Sequence, residues 1–177
     1  MTPLSRRRLL GLSAVAPLCV ALPSPGRAAA PARQVSFAHL HTGERLTVEY
    51  FQAGRYVPDA LDAANRLLRD FRTGDVAVID PALLDLLNAL GERVGGAPTF
   101  EVISGYRSPV TNAVLHRRST GVASNSLHMH GRAIDIRVPG VPLPALHAQA
   151  LALRVGGVGY YPSSGFVHVD TGRLRRW

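Results

Sequence analysis

Two short segments of the sequence combine side chains that could bind a metal ion with patterns typical of β-strands. The first, Ser126–Asp135, reads S-L-H-M-H-G-R-A-I-D, and the second, Gly165–Asp170, reads G-F-V-H-V-D. Because the side chains of a strand alternate between its two faces, Asp135 and His168 lie on the faces opposite to their apolar neighbours, which can enter the core. Asp135 and His168 can therefore meet if the two strands pair.

A third candidate ligand, His128, lies seven residues before Asp135, with Gly131 between them. A turn at Gly131 could bring His128 over the same face as Asp135 and His168, which would complete a set of two imidazoles and one carboxylate. Three such ligands around zinc leave an open position for water, as in hydrolytic zinc sites. Bound zinc lowers the pKa of water from ~15.7 to about 7 and so creates a nucleophile without a reactive side chain. The alternative is a polar strand edge with unrelated histidines.

The elements that must position these residues can be predicted from hydrophobic periodicity and turn signals. Two alternating segments on either side of Thr42-Gly43 predict a β-hairpin over 34–41 and 44–52. We expect His39 and His41 on its surface. Apolar residues at helical spacing predict helices over 59–72 and 81–93. Pro109 in a first turn predicts a helix over 109–118, and a further helix is predicted over 143–153. Short apolar runs predict strands over 99–104, 133–138, 158–161 and 165–170. This order predicts an α+β fold, a single domain in which helices pack on a short antiparallel sheet.

Length and charge limit the classes of function. A chain of 177 residues allows one compact domain, and its 46% of apolar and 18% of charged residues are typical of a chain that folds. All 20 basic residues are arginines, and four of them lie in the first 30 residues. Residues 31–177 therefore carry 16 Arg against 12 Asp and Glu, a net charge of +4. This weak charge, with only 6% aromatic residues, predicts no nucleic-acid partner.

The first 30 residues have the organisation of an export signal peptide. A basic start with Arg6 and Arg7 is followed by an apolar stretch from Leu9 to Leu22 and then by small residues. That stretch has 14 residues, fewer than the ~20 that cross a bilayer, so we expect no stable membrane anchor after cleavage. The run S-R-R-R-L-L is typical of a twin-arginine signal, which predicts the twin-arginine export machinery as a partner and a periplasmic or otherwise exported location. An ordinary secretory signal is the alternative. Cys19, the only cysteine, lies in this segment, so the mature chain is expected to have no thiol.

The spaced motif S-x-H-x-x-G-x-A-x-D, together with the later G-F-V-H-V-D, resembles a known family. Both are similar to motifs of the zinc peptidases related to D-Ala-D-Ala carboxypeptidases and to the hedgehog signalling domain. Further blocks along the mature chain resemble the murein endopeptidase K branch: A-H-L-H-T-G-E, S-G-Y-R-S-P, G-G-V-G-Y-Y-P and R-R-W. The resemblance implies a hedgehog-like zinc peptidase domain over 31–177, in which His128, Asp135 and His168 bind zinc. It also implies that the substrate is a peptide cross-link between the stems of bacterial peptidoglycan.

The resemblance leaves the general base unassigned. Carboxypeptidase-type relatives have an acidic base three residues before the last histidine ligand, where this chain has Gly165. Lysostaphin-type relatives have a histidine two residues before that ligand, where this chain has Phe166. Asp170 follows His168 on the same predicted face, and we expect it either to accept the proton of the water or to hydrogen-bond to a ligand imidazole. Similarity to the Y-R-S loop of the family implies that Arg107 binds a substrate carboxylate or stabilises the oxyanion, a task that suits a guanidinium.

Two other functions are open on the sequence alone. One is a carboxypeptidase that trims terminal D-amino acids from stem peptides. A closed pocket with an arginine placed for a free carboxylate would favour this activity, whereas an open groove would favour an endopeptidase. The other is a catalytically inactive metal-binding protein that recognises the cell wall, which the missing acid at Gly165 favours.

Overall fold

A mixed eight-stranded sheet is the frame of the computed structural model, which describes residues 30–119 and 121–177. The strands are β1 (Arg33–His39), β2 (Arg45–Gln52), β3 (Arg55–Tyr56), β4 (Thr99–Ser104), β5 (Ala133–Arg137), β6 (Gly157–Tyr161), β7 (Phe166–Asp170) and β8 (Arg175–Arg176). The helices are α1 (Pro58–Leu67), α2 (Pro81–Arg93), α3 (Pro109–Arg118) and α4 (Leu143–Leu153). Two short 3-10 helices lie in the connections, Leu127–His130 and Pro162–Ser164. These elements confirm the predicted α+β fold.

The strands are arranged in the order β3-β2-β1-β4-β5-β7-β6-β8. Most neighbours are antiparallel, as predicted, but β1 pairs with β4 and β6 pairs with β8 in parallel. The prediction of an antiparallel sheet was therefore wrong for these two pairs. A parallel pair needs a long connection that returns the chain in the same direction. The segment from β2 to α2 provides it between β1 and β4, and β7 provides it between β6 and β8.

One face of the central strands is apolar and belongs to the hydrophobic core. Ile134 and Ile136 of β5 and Val167 and Val169 of β7 are buried there, as the alternation along these strands predicted. Helix α2 adds four fully buried leucines to the same core, Leu83, Leu84, Leu87 and Leu90. The opposite face of β5 and β7 is left for polar side chains, and it carries the candidate site.

The predicted bounds are correct for α2, α3 and α4, but α1 ends at Leu67, five residues earlier than predicted. The carboxylate of Asp70 accepts the backbone N–H of Arg72, and the N–H of Gly74 donates to the carbonyl of Asp70. Side-chain bonds of this kind offer the backbone an alternative to the helix. The apolar residues continue at helical spacing as far as Phe71, and the prediction therefore extended beyond the end of the helix at Leu67.

His39 departs from the prediction that it lies on the surface of the hairpin. Only 1% of it is exposed, and its Nδ1 accepts the backbone N–H groups of His41 and Thr42. Phe71, in the turn after α1, lies edge-on against the His39 ring at 5.6 Å between centroids. His41 is exposed as expected. A segment distant along the chain thus covers His39, and the alternation within the hairpin contains no sign of that contact.

No helix in residues 30–119 or 121–177 is long and apolar enough to cross a membrane. The predicted export signal, with Arg6, Arg7 and Cys19, lies outside the described residues.

Candidate metal centre and cleft

The pairing of β5 with β7 brings two of the predicted ligands together. In this antiparallel pair the Cα of Asp135 lies opposite that of His168, so the two side chains project from the same face. Both residues are buried, with 2% and 7% of their surface exposed. Asp135 Oδ1 lies 2.9 Å from His168 Nδ1. The two strands therefore pair, which was the condition for Asp135 and His168 to meet.

His128 reaches this pair from a short 3-10 helix that ends at Gly131. Gly131 has a φ of +62°, and a Cβ at this position would overlap the carbonyl oxygen of Val78, so both the backbone and the available space require glycine. The Nδ1 of His128 lies 2.7 Å from the carbonyl oxygen of Gly105. Because a carbonyl only accepts, Nδ1 carries the hydrogen, and the lone pair of Nε2 faces the other two side chains.

The three candidate ligand atoms form a compact triangle. His128 Nε2 lies 3.2 Å from His168 Nδ1 and 3.3 Å from Asp135 Oδ1, and the third side measures 2.9 Å. Two ligands about 2.0–2.1 Å from a tetrahedral zinc ion lie about 3.3 Å apart. The point in the triangle that is equidistant from its three atoms is about 1.8 Å from each, so all three atoms could reach one ion at bonding distance. The residues present therefore fit a zinc ion.

Burial and mutual contacts shift the pKa of each of the three groups. Burial lowers the pKa of His128, although the nearby Asp135 carboxylate acts to raise it. Burial raises the pKa of Asp135, but the two imidazoles outweigh this effect and hold the pKa well below its usual range. Burial lowers the pKa of His168, but hydrogen bonds to Asp135 and Asp170 outweigh it and raise the pKa. These shifts favour the ionised form of Asp135 and the neutral form of His128, which are the forms that bind metal, whereas His168 must release a proton from Nδ1 when an ion binds.

Asp170 lies behind His168, away from the cleft. Its carboxylate is fully buried, and its Oδ2 is 2.9 Å from His168 Nε2, the ring nitrogen that does not face the triangle. Arg175 donates to both carboxylate oxygens, and the backbone N–H groups of Gly157 and Gly172 donate to Oδ1. Burial by itself raises the pKa of Asp170, but these donors outweigh it and hold the pKa well below its usual range.

The position of Asp170 favours one of the two roles that were predicted for it. A hydrogen bond to a ligand imidazole agrees with the geometry, since such a partner fixes the tautomer and the orientation of the ring. A proton acceptor in the cleft does not agree, because the His168 ring stands between the Asp170 carboxylate and the triangle. Among the described residues that line the cleft, Asp135 has the sole side-chain carboxylate.

Arg107, the other predicted catalytic residue, contacts the ligand carboxylate directly. Its Nη2 donates to Asp135 Oδ2, the oxygen turned away from the imidazoles, and its Nε donates to Ser104 Oγ at 2.9 Å. The backbone N–H of Arg107 also donates to the carbonyl of His128. The guanidinium lines the cleft, and 12% of the side chain is exposed. Arg107 is thus placed to orient Asp135 and to present positive charge to the cleft.

The three candidate ligands line a cleft with a volume of about 290 Å³. The loop that follows α3 and three aromatic side chains, Tyr161, Phe166 and Trp177, also line it. Sequence reasoning missed Phe166 and Trp177 as cleft residues. The alternation along β7 could have indicated Phe166, since it puts this ring on the face of His168. Trp177 follows β8, a strand of two residues that periodicity cannot reveal.

The α+β domain thus has a mixed sheet that presents two imidazoles and a carboxylate to a cleft, a group that could hold a metal ion. Comparison with known proteins identifies the class of protein. The chain belongs to the family described as peptidoglycan L,D-endopeptidase MepK, whose model matches residues 27–177. The chain is 42% identical to peptidoglycan L,D-endopeptidase MepK of Escherichia coli (strain K12) over 176 residues, which are 98% of this chain and 97% of that protein. It is 46% identical to the probable peptidoglycan L,D-endopeptidase MepK of Haemophilus influenzae over 146 residues, 82% of this chain and 78% of that protein. No solved structure matches the chain significantly. The family resemblance found in the motifs is confirmed.

Proposed function

We propose that this chain is an exported, zinc-dependent peptidase that hydrolyses peptide cross-links of bacterial peptidoglycan. The observation that carries the proposal is the convergence of His128 Nε2, Asp135 Oδ1 and His168 Nδ1 within 3.3 Å of one another beside a cleft. The substrate class is taken from the relatives, which are named peptidoglycan L,D-endopeptidases. Identities of 42% and 46% over most of the chain support its extension to this protein.

Zinc is the ion we propose, because the ligand set consists of two imidazole nitrogens and one carboxylate oxygen. Magnesium and calcium prefer sites made of oxygen atoms, whereas zinc accepts this mixed set and keeps a further position open. When bound, zinc polarises a carbonyl oxygen and lowers the pKa of water, which are the two requirements of peptide hydrolysis.

Groups behind the ligands keep each of them in the orientation that binding requires. A backbone carbonyl fixes the tautomer of His128, Asp170 accepts from Nε2 of His168, and Arg107 holds the second oxygen of Asp135. Loss of such a partner typically lowers metal affinity or activity by about 10–100-fold. Asp170 is therefore proposed as a positioning residue.

Arg107 also has a proposed role in the reaction. Hydrolysis adds the hydroxyl of water to the acyl carbon, breaks the C–N bond and delivers a proton to the leaving amine. Negative charge develops on the scissile carbonyl oxygen during the addition, and a fixed guanidinium at the cleft stabilises that charge. Arg107 is the arginine of the cleft that adjoins the ligand carboxylate.

The bond that we propose as the target is an L,D cross-link, a peptide bond between an L-centre and a D-centre, in agreement with the names of the relatives. Purified muropeptide dimers with L,D or D,D cross-links test this proposal. Each dimer is incubated with the protein, with the protein and a chelator, and with the chelated protein after zinc is restored. We expect conversion of L,D dimers to monomers, its loss with the chelator and its recovery with zinc. Cleavage of D,D dimers alone would show that the proposed bond is wrong.

An inactive wall-binding protein is the alternative from another class. Cleavage of no dimer by the zinc-loaded protein, together with binding to purified wall fragments, would favour it.

A carboxypeptidase is disfavoured by the state of the two arginines in the cleft. Arg107 donates to Asp135, and Arg175 donates to both oxygens of Asp170. Each guanidinium thus shares its charge with a carboxylate of the protein. Arg107 keeps further N–H groups that can donate to a carbonyl oxygen, but the full charge of a terminal carboxylate needs an unpaired cation. Release of single D-amino acids from monomeric stem peptides would contradict this reasoning.

Export through the twin-arginine route is part of the proposal. The substrate class of the relatives lies outside the cytoplasmic membrane, which agrees with the basic and apolar pattern of the first 30 residues. Replacement of Arg6 and Arg7 by lysine is expected to retain the full-length chain in the cytoplasm, because the machinery reads the arginine pair. Unchanged export of that variant would indicate the ordinary secretory route.

A further inference from the structure

We propose that Trp177 is a specificity-determining residue of the cleft, and that the exposed part of its indole binds an aliphatic segment of the peptide substrate beside the metal ligands. This inference rests on the proposed function, because it concerns the substrate of the same site. It adds a substrate contact that none of the candidate catalytic or metal-binding residues provides.

The indole lies directly against a metal ligand. The rings of Trp177 and His168 have centroids 5.2 Å apart, and both residues line the cleft. The indole Nε1 donates to the hydroxyl of Tyr161 at 2.6 Å, which satisfies its one polar group. Trp177 is 49% exposed, whereas His168 beneath it is only 7% exposed. A molecule that reaches the ligands through the cleft therefore meets the indole.

The backbone around Trp177 holds the ring in this position. The N–H of Trp177 donates to the carbonyl of Val158, and its carbonyl accepts the N–H of Tyr160. Gly159, between these two residues, lies opposite His168 in the pairing of β6 with β7. A Cβ at Gly159 would come within 2.7–2.8 Å of three atoms of the indole ring, so the missing side chain provides the space that the ring fills.

A ring fixed before binding loses little conformational freedom when a substrate arrives, so most of its contact free energy contributes to affinity. The same reasoning applies to the neighbouring rings of Tyr161 and Phe166, which stack with centroids 4.6 Å apart. Together these three side chains give the cleft a preformed aromatic surface.

The chemistry of this surface favours hydrocarbon groups. The guanidinium of Arg175 lies over the indole, with 5.0 Å between its carbon and the ring centroid. Both oxygens of the buried Asp170 already accept from Arg175, so its charge is paired. An aromatic surface whose neighbouring guanidinium is already paired binds methylene groups better than carboxylates. Arg107 and the metal site can bind the polar groups of the substrate, whereas the indole can bind the methylene chain of a stem-peptide residue.

Fluorescence tests this contact independently of catalysis, because Trp177 is the only tryptophan in the sequence. Zinc-loaded protein is titrated with monomeric stem peptides, which are the product of the proposed reaction, and with cross-linked dimers. We expect a saturable change in the emission of Trp177. Saturation of binding, measured by calorimetry, without any change in emission would overturn the inference. The titration decides the inference even if the protein cleaves no dimer, an outcome that would refute only the proposed function.

Kinetics of dimer cleavage separate a substrate contact from structural support of His168. For Trp177→Ala we expect KM to rise about tenfold, equivalent to about 1.4 kcal/mol, with kcat within about threefold of wild type and unchanged zinc affinity. Trp177→Phe keeps an aromatic ring and should recover most of the loss. Leu174→Ala is the matched control, since Leu174 is 61% exposed and does not line the cleft. A fall in zinc affinity and kcat with unchanged KM would show that the indole only supports the ligand, and an unchanged KM in both Trp177 variants would also overturn the inference.

Gly159→Ala provides a second test that leaves the indole in the chain. The added Cβ must displace the ring, because three of its atoms lie 2.7–2.8 Å from that position. We expect a shifted emission maximum and a raised KM. If Trp177→Ala does not fold, as its melting temperature would reveal, Trp177→Phe and Gly159→Ala decide the question. A displaced indole with an unchanged KM would contradict the inference.

Discussion

Asp170→Asn removes the negative charge behind His168 and keeps the shape of the side chain. The two carboxylate oxygens accept from His168 Nε2, from Arg175 and from two backbone N–H groups. An amide has one oxygen and one NH2 group, so in either orientation its NH2 faces groups that also donate. A buried donor without an acceptor costs about 1–3 kcal/mol, and Arg175 also loses its charge partner. We therefore expect the free energy of unfolding to fall by about 2–4 kcal/mol.

The same substitution weakens zinc binding through His168. Its Nε2–H donates to a charged acceptor at 2.9 Å. A hydrogen bond to a charged group contributes about 1.5–3 kcal/mol and a neutral one about 0.5–1.5 kcal/mol. A difference of ~1.4 kcal/mol corresponds to about tenfold in affinity, at the lower end of the 10–100-fold typical of such partners. The dissociation constant for zinc should rise about tenfold or more, while kcat at saturating zinc stays within about tenfold of wild type.

Competition with a chromophoric zinc chelator measures the dissociation constant, and thermal unfolding measures stability. Asp85→Asn is the matched control, because the Asp85 carboxylate on α2 accepts from Arg33, Tyr50 and Tyr56 at 2.7–2.9 Å and does not contact the ligands. The control should lower the melting temperature without a change in zinc affinity. If Asp170→Asn kept its zinc affinity and lost kcat by more than about a hundredfold at saturating zinc, Asp170 would be a proton acceptor and the positioning role would be refuted.

Three further substitutions test other parts of the account. Arg107→Gln removes the cation that stabilises the negative charge developing on the scissile carbonyl oxygen, so kcat for dimer cleavage should fall by about 10²–10³-fold. An unchanged kcat would exclude this role of Arg107. Gly131→Ala places a Cβ against the carbonyl of Val78 at a φ of +62°. It should lower the free energy of unfolding by about 2 kcal/mol or more in urea titrations, together with the zinc content, and wild-type values of both would contradict the fold argument. For Asp85, burial raises the pKa, but hydrogen bonds from two tyrosines and an arginine outweigh it and hold the pKa below its usual value. Its contribution to stability is therefore present above the unfolded-state pKa of about 3.9 and is lost as the pH falls through the lower folded-state pKa. Wild type should exceed Asp85→Asn by about 1–2 kcal/mol at about pH 7, and this difference should shrink below about pH 4; a difference that does not depend on pH would contradict the assignment.

The parts of the fold that follow from local pattern could be predicted from the sequence. Alternation along β5 and β7 encodes which side chains enter the core, so the facing of Asp135 and His168 follows once the strands pair. Apolar residues at helical spacing likewise located α2, and proline at the first turn located α3. The motif spacing identified the family for the same reason, because the ligands are held at fixed positions on these elements.

The parts that depend on contacts between distant segments could not be predicted. The carboxylate of Asp170 accepts hydrogen bonds from Arg175, Gly157 and Gly172, which hold it in the interior. None of these contacts follows from its position two residues after His168. The place of Trp177 in the cleft depends on β8, whose two residues are ordered by pairing with β6 rather than by their own pattern. Long-range pairing thus determined the role of Asp170 and the place of Trp177.

The central claim is that His128, Asp135 and His168 hold one zinc ion, and the zinc content of the purified protein tests it most directly. Elemental analysis should find about one zinc per chain in wild type and in His41→Ala, an exposed histidine of the hairpin, and almost none in His168→Ala. Stoichiometric zinc in His168→Ala, or none in wild type prepared with excess zinc, would contradict the account.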